Sequence, residues 1–381
     1  MCHPSRVIPV ARWSNALVPV AFVLAGLSIA RIGERVAWAA DEWVGARVMA
    51  KTSQTKLTVG TKVSATLNAG SVFRVDRVNG DWLWVDSGNI QGWVKKTDVV
   101  VFEEAIDYFT GVIERDRSDG YAHVSRGIAW HVRKEHARAA ADFTEAIRLD
   151  PSGDWPYHDR AAAYHALLDY EQALADADEA VRLNPDEPAH LATRASILFA
   201  RKEYDRAIED YTEAAHRLGG DGASLDASLD DSPEGGETGR TRGRLSKVKW
   251  MSARAECWAA KRAFDKAIAD YAEALRLDSR DFATLNSLAW LLATCEFSPY
   301  RDGKRAFDLA ARACSLTGFR NHLVLDTLAA AYAEAGDFAA AVKWQSEAIA
   351  LAAGDERFAS AYRARLKLYQ DKTPFHENGE S

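Results

Sequence analysis

The sequence has few cysteines and methionines and lacks the short motifs that mark common catalytic sites. Four cysteines and three methionines occur in 381 residues, and no two cysteines are spaced as CxxC. Zinc sites and disulfide frameworks need closely spaced or paired cysteines, so Cys257, Cys295 and Cys314 are predicted to be buried small side chains. GxSxG, HExxH and phosphate-loop motifs are also missing. We therefore predict no enzymatic activity, no metal and no cofactor.

The chain also has fewer positively than negatively charged side chains. The chain has 48 Lys and Arg against 55 Asp and Glu, a net charge of −7. Loss of residues 1–39 would make it more negative, because that segment carries more arginine than acid. A negative chain disfavours nucleic acid as a partner.

Long apolar runs are rare, and residues 16–30 form the only one that approaches membrane length. Arg6 and Arg12 precede it, and the small residues Ala37 and Ala39 follow. This layout is typical of a secretory signal. We expect residues 1–39 to be a signal peptide and the protein to be exported, periplasmic or secreted. A single membrane anchor that stays uncleaved is the alternative, although the run is short for a span.

A period of 34 residues organises the following chain. Pro151 and Pro185 end the equivalent segments IRLDP and VRLNP, and Ala139, Ala173 and Ala207 keep the same spacing. Self-similarity at this period predicts a solenoid of helix pairs, because one pair cannot bury its apolar face alone.

The repeated units resemble the tetratricopeptide family. They carry small residues where two helices must approach and aromatic residues between them: Gly127, Trp130, Phe143, Ala161, Tyr164, Ala195, Tyr211, Ala255, Trp258 and Tyr271. The resemblance implies a mainly α fold, a right-handed superhelix that binds a protein or peptide on its concave face. We predict a half-repeat and three repeats over 103–218, and three further repeats, one irregular, over 247–353. A capping helix over 354–371 follows, and segments 219–246 and 372–381 are predicted to be disordered.

Residues 43–101 have a different sequence pattern, which is typical of short strands joined by tight turns. Two runs of alternating apolar residues meet across Asn79-Gly80, a strong hairpin signal, and further short strands surround them. The hairpin with the later Gly92-Trp93-Val94 resembles bacterial SH3-like domains, which implies a small all-β barrel. Trp82 and Trp84 share one face of a strand. They either pack on the first helix, near residues 105–109, or form with Trp93 a ligand surface.

Four Arg–Asp pairs stand 16 residues apart at equivalent places of four repeats: Arg126 and Asp142, Arg160 and Asp176, Arg194 and Asp210, Arg254 and Asp270. Both members vanish together in the last two repeats. Joint presence and joint loss predict contact within each helix pair, a structural role rather than a row of anion-binding arginines.

The family's binding groove lies on the first helix of each repeat, and the resemblance implies an apolar and aromatic groove here. The candidate protein-binding residues are Tyr121, His131, Trp155, His158, His165, Phe199, Asn286 and Trp290. Trp290 is the preferred single probe, with coverage by a loop as the alternative. A metal at His158 and His165 is disfavoured because no third ligand is evident.

These features predict a non-enzymatic protein-interaction scaffold of the cell envelope or exterior. Two alternatives stay open. One is an envelope anchor whose SH3-like barrel binds wall polymer, and the other is a non-catalytic targeting subunit of an envelope enzyme.

Overall fold

The computed structural model describes residues 40–67, 70–86, 91–218, 237–353 and 355–377. The chain divides into two compact units. The N-terminal unit comprises residues 10–203 with 219–243, and the C-terminal unit comprises residues 204–218 and 244–381 with 1–9. Predictions for the signal segment 1–39, for residues 219–236 and for residues 378–381 lie outside the described residues.

The N-terminal unit begins with a one-turn helix, α1 (Ala40–Trp43), and an antiparallel sheet. Its strands are β1 (Arg47–Ala50), β2 (Lys56–Val59), β3 (Lys62–Thr66), β4 (Val72–Asn79), β5 (Trp82–Asp86), β6 (Gln91–Lys95) and β7 (Val99–Val101). The order across the sheet is β3-β2-β6-β5-β4-β1-β7.

The region is an antiparallel sheet of short strands, as predicted, but the sheet does not close into a barrel. Among the described strands, β3 and β7 remain at opposite edges with no ladder between them. The join toward the β3 edge is narrow, since β2 pairs with β6 only at Thr58 and Trp93. At the other edge, β7 runs through a short 3-10 turn directly into a helix, which leaves no length of strand to close the sheet.

The β4–β5 hairpin forms across Asn79-Gly80 as predicted. Successive side chains along β5 point alternately to the buried and the exposed face of the sheet. Leu83 and Val85 are fully buried in the sheet's core, whereas Trp82 is 37% exposed on the opposite face. Gly80 has φ +56 at the turn, a conformation that glycine adopts without strain.

The sheet packs on the first helix, α2 (Ala105–Arg115), but not through the tryptophans. Met49 and Val100 join Ile106 and Phe109 in one buried cluster. The prediction that Trp82 or Trp84 makes this contact is therefore wrong. Met49 of β1 and Val100 of β7 already contact α2, because β7 leads directly into that helix. The β4–β5 hairpin takes no part in this contact.

Further contacts tie the sheet to the next helix, α3 (Gly120–Val132). The Tyr121 hydroxyl donates to the Ala50 carbonyl at 2.9 Å, and the Gly70 amide donates to Ser125 Oγ at 3.3 Å. A Cβ on Gly70 would lie 1.9 Å from Ile128 Cδ1, and Gly70 has φ +71, so a larger residue would strain the backbone and displace the Ile128 side chain. The sheet thus covers the face that a complete first repeat would occupy.

Helix pairs continue the N-terminal unit with α4 (His136–Leu149), α5 (Asp154–Ala166), α6 (Tyr170–Leu183) and α7 (Pro188–Ala200). Gly127 fits under the Phe143 ring, because a Cβ there would come within 2.7 Å of it. Lys134, Leu168 and Lys202 have φ near +65 at the turns that follow α3, α5 and α7. The 34-residue period therefore extends to backbone geometry.

The C-terminal unit contains eight helices among its described residues: α8 (Tyr204–Arg217), α9 (Glu237–Ala260), α10 (Phe264–Leu277), α11 (Phe282–Thr294), α12 (Gly303–Leu316), α13 (His322–Glu334), α14 (Phe338–Leu351) and α15 (Glu356–Gln370). Residues from 244 onward in α9 belong to this unit. Its largest core cluster centres on Leu285, Leu288 and Leu325.

Two predicted disordered segments are partly ordered. Helix α9 begins at Glu237, so the prediction of disorder over 219–246 is wrong from that residue on. Arg, Thr and Lys are compatible with a helix that extends from a packed segment, and its glycines cost only about 1 kcal/mol each. Residues 372–377, predicted as part of a disordered tail, pack against α11 and α15, because Phe375 and Glu377 find partners there.

Among the described residues, no helix has both the length and the apolar character needed to cross a membrane.

Candidate protein-binding surface

Arg–Asp contacts fix the helix pairs that carry the candidate surface. Arg160 Nε and Nη2 donate to the two carboxylate oxygens of Asp176, both at 2.7 Å. Arg126 binds Asp142 at 2.8 and 2.6 Å, and Arg254 binds Asp270 at 2.7 Å twice. Each arginine carries its own counter-ion, which makes these contacts structural.

Each of these arginines also reaches the preceding repeat. Their Nη1 atoms donate to Thr110, Thr144 and Thr212 at 3.1, 3.0 and 2.9 Å. Arg194 instead binds Asp178 at 3.0 Å, where the period places an aspartate rather than a threonine. Sequence reasoning missed these partners, although the 34-residue spacing of positions 110, 144 and 178 was a usable signal. The predicted Arg194–Asp210 pair joins residues of different units and stays a prediction.

Trp155 is the most prominent candidate in the N-terminal unit. It lies on α5 and is 38% exposed. Its ring meets the rings of His158 and His190 edge-on, at centroid distances of 4.9 and 5.1 Å. An exposed tryptophan whose ring is already packed on two neighbours loses little conformational freedom when it binds a partner.

A short polar chain holds the two histidines in place. Nδ1 of His158 lies 3.2 Å from Nδ1 of His190, and Nε2 of His190 lies 2.9 Å from Asp154 Oδ2. Burial lowers the pKa of His158 to about 3, so its ring is neutral at pH 7. The ionised Asp154 carboxylate can only accept, so His190 donates to it through Nε2, and either ring can supply the proton between the two Nδ1 atoms. His190 was not among the predicted residues, because the family's groove positions on α7 are Ala189, Ala192, Ser196 and Phe199.

The other candidates of the N-terminal unit do not join this cluster. Tyr121 packs on the sheet, and His165 contacts the Tyr170 ring at 5.7 Å. His131 lies against His136 with 3.2 Å between their Nδ1 atoms, and burial lowers the pKa of His131 to about 4. Phe199 on α7 is half-buried. The described residues contain no group of three or more His, Cys, Asp or Glu arranged to hold a metal.

Two half-buried carboxyl groups have no counter-ion among the described residues. Burial raises the pKa of Asp159, beside His158 on α5, to about 7, and that of Glu256 on α9 to about 8. Part of each group is therefore protonated near neutral pH. A cationic side chain of a partner would stabilise the charged form of either group.

The two candidates of the C-terminal unit, Asn286 and Trp290, lie one turn apart on α11. Asn286 is 3% exposed, and its side-chain oxygen has no hydrogen-bond partner among the described residues. Trp290 is half-buried, and its indole nitrogen donates to Glu377 Oε1 at 2.7 Å. Trp290 is thus covered by the segment after α15 and not by the loop that follows its own helix.

The outer face of the sheet carries the remaining candidates. Trp84 and Trp93 meet edge-on at 5.4 Å, with the Arg77 guanidinium 4.8 Å from the Trp84 ring. The Lys95 ammonium lies 5.4 Å from the Trp82 ring. These contacts place three tryptophans and two cations on one face.

Repeated helix pairs joined by equivalent polar contacts define a helix-pair repeat protein. The tetratricopeptide repeat model matches residues 102–154 and 158–223. The chain therefore contains tetratricopeptide repeats, as predicted, and the solenoid follows an N-terminal antiparallel sheet. Repeats of this kind are generally protein-interaction modules.

Several solved structures are similar. PilF of Pseudomonas aeruginosa is 14% identical with a TM-score of 0.47, over 69% of this chain and 98% of that one. YrrB, described as a TPR protein with an unusual peptide-binding site, is 14% identical with a TM-score of 0.34, over 67% and 97%. MamA is 15% identical with a TM-score of 0.37, over 47% and 89%. No curated protein matches the sequence significantly.

Proposed function

We propose that this chain is a non-enzymatic, exported scaffold that binds a protein through an extended peptide segment on the first-helix surface around Trp155. The observation that carries the proposal is an exposed aromatic ring that is held rigidly. Trp155 combines 38% exposure with two edge-on ring contacts, and tryptophan is over-represented at binding hot spots.

The chemistry beside Trp155 indicates the kind of peptide. His158 is neutral, and Asp159 has no counter-ion among the described residues. A segment with an apolar side chain for Trp155 and a lysine or arginine for Asp159 fits both features, because a cation favours the ionised carboxylate.

A peptide selection tests this site even though the natural partner is unidentified. Displayed random peptides are selected on the purified chain, and the affinities of the enriched peptides are measured by fluorescence anisotropy. We expect Trp155→Ala to weaken binding at least tenfold with little change in melting temperature. Leu167→Ala is the control, because Leu167 is 44% exposed on the turn after the same helix. Equal affinities for the wild type and Trp155→Ala would reject the site.

The proposal of export depends on the order of arginines, apolar run and small residues within residues 1–39. A fusion of residues 1–45 to alkaline phosphatase, which is active only outside the cytoplasm, tests it. Substitution of charged residues into the run 16–30 is the control. An inactive wild-type fusion would reject the exported location.

The tryptophan face of the sheet supports a second candidate function, anchorage to a wall polymer. Trp82, Trp84 and Trp93 present flat rings beside Arg77 and Lys95, a combination that suits stacking on a polymer that carries anionic groups. Co-sedimentation of the full chain with purified wall material should be reduced by Trp82→Ala and left unchanged by Trp155→Ala. Equal sedimentation of both variants would count against it.

A further inference from the structure

We propose that the surface around Trp290 is a second binding site, specific for an extended peptide with an aromatic residue followed two positions later by a carboxylate. Residues 373–377 of this chain, here called the docked segment, occupy the site in the described structure. The proposal extends the protein-binding function to the C-terminal unit, but its evidence is independent of Trp155.

The docked segment contacts the site in the manner of a bound peptide. Phe375 lies 5.9 Å from the Trp290 ring, and Glu377 accepts the indole hydrogen bond at 2.7 Å. Between them, His376 turns to Glu334, with Nε2 and Oε2 2.7 Å apart. Alternate side chains of an extended chain project to opposite sides. Phe375 and Glu377 therefore face the site together, and these two side chains define the specificity.

Backbone recognition accompanies these side-chain contacts. The Glu377 amide donates to the Thr294 carbonyl at 2.7 Å. Thr294 is the last residue of α11, and the carbonyls of a helix's last turn have no partner within the helix. The segment therefore supplies a donor that any peptide backbone in the same register could supply.

The Arg365 side chain of the site is held in place without help from the docked segment. The Arg365 guanidinium lies 5.3 Å from both the Trp290 and the Phe375 rings. Asp326 holds it through two hydrogen bonds, of 2.9 and 2.8 Å, and Gln345 donates to the same aspartate. Departure of Phe375 would leave an aromatic ring and a cation that remain in position for another aromatic side chain.

Asn286 supplies a further point of contact. It lies one turn before Trp290 on α11, is 3% exposed and has an oxygen without a hydrogen-bond partner among the described residues. A buried amide oxygen usually has a donor. A longer or differently spaced ligand that donates here would bind more tightly than the docked segment.

A trans-binding assay tests the site. The probe is a fluorescent synthetic peptide with the sequence of residues 371–381, and the receptor is the full chain with Phe375→Ala and Glu377→Ala. We expect the doubly substituted chain to bind the peptide, and the wild type to bind it at least tenfold more weakly. The wild type carries its own segment at an effective concentration on the order of millimolar.

The contacts predict which changes abolish binding. Replacement of the phenylalanine by alanine in the peptide, or addition of Trp290→Ala to the receptor, should weaken binding at least tenfold. Phe297→Ala in the wild type is the matched control, because Phe297 is a 42% exposed aromatic of the same unit outside this site. That variant should bind no more peptide than the wild type.

A second receptor variant keeps the test decisive if the first variant does not fold. It is the chain that ends at Lys372, and circular dichroism checks the fold of both. The proposal is overturned if either folded receptor leaves the peptide unbound, or if the wild type binds it equally well. Failure of both receptors to fold would show that the segment belongs to the core, which also overturns it. Since Trp155 takes no part, these outcomes are independent of the site proposed in the N-terminal unit.

Discussion

The contact between Arg160 and Asp176 gives the sharpest test of how the repeats are held together. Arg160→Ala removes both hydrogen bonds to Asp176 and the one to Thr144. The Arg160 and Asp176 side chains are only 16% and 10% exposed, so the aspartate would be left with little water to replace its partner. The substitution should therefore destabilise the protein strongly.

The size of the effect follows from this burial. Removal of one partner from a fully buried ion pair costs about 3–5 kcal/mol. Water can reach a fraction of this pair, which lowers the expected cost to about 2–4 kcal/mol. Asp176→Ala should cost a similar amount. The double variant should be clearly more stable than the sum of the two single effects predicts, because no unpaired charge remains.

Urea unfolding followed by circular dichroism and by tryptophan fluorescence measures these differences. Arg182→Ala is the matched control, because Arg182 and Glu179 form an equally close two-point contact that is 65% and 33% exposed. Its midpoint should stay near that of the wild type. Unfolding of a repeat protein can depart from two-state behaviour, so the two probes must agree. The reasoning fails if Arg160→Ala lowers the midpoint no more than Arg182→Ala does.

Two further predictions concern a buried carboxyl group and a strained turn. Burial raises the pKa of Glu256 in the folded state to about 8 from its ordinary value of 4.5, so the wild type loses stability as pH rises between these values. Glu256→Gln should gain about 1–3 kcal/mol relative to the wild type from pH 4.5 to pH 9; a pH-independent difference would contradict this. Leu168 has φ +65 and is 70% exposed, so Leu168→Gly should raise stability by about 0.5–1 kcal/mol. Leu167→Gly, in the right-handed region at φ −81, should lower it instead, and thermal melts of both variants decide the matter.

Features that repeat within the chain could be predicted from the sequence. The 34-residue spacing of small and aromatic residues indicated the helix pairs, because the same close approach is needed in each repeat. The Arg–Asp spacing predicted contacts that the structure contains for Arg126, Arg160 and Arg254. The hairpin at Asn79-Gly80 was predictable because the turn depends on two residues alone.

Features that depend on a single distant contact could not be predicted. Closure of the sheet depends on whether β3 meets β7, and no local pattern decides this. The partners Trp290 and Glu377 are 87 positions apart, and neither belongs to a repeat. The segment over 372–381 has the polar composition of a disordered tail, so one phenylalanine and one glutamate gave no periodic signal.

The last repeats connect the structural contacts with the proposed site. Where earlier repeats carry the Arg–Asp pair, these carry Leu288 with Leu309 and Leu328 with Trp344, and the leucines are buried in the core of the C-terminal unit. An aspartate with a bidentate arginine is nevertheless present there, because Arg365 of α15 binds Asp326 of α13.

This pair differs from the earlier ones in what its arginine does next. Arg126 and Arg160 extend to a threonine of the neighbouring repeat, whereas Arg365 faces the rings of Trp290 and Phe375. Arg365 thus contacts Phe375 where the earlier arginines contact a threonine of the neighbouring repeat. The same chemistry that elsewhere joins one repeat to the next is thereby turned toward a peptide segment, and this is why we place a ligand site at α15.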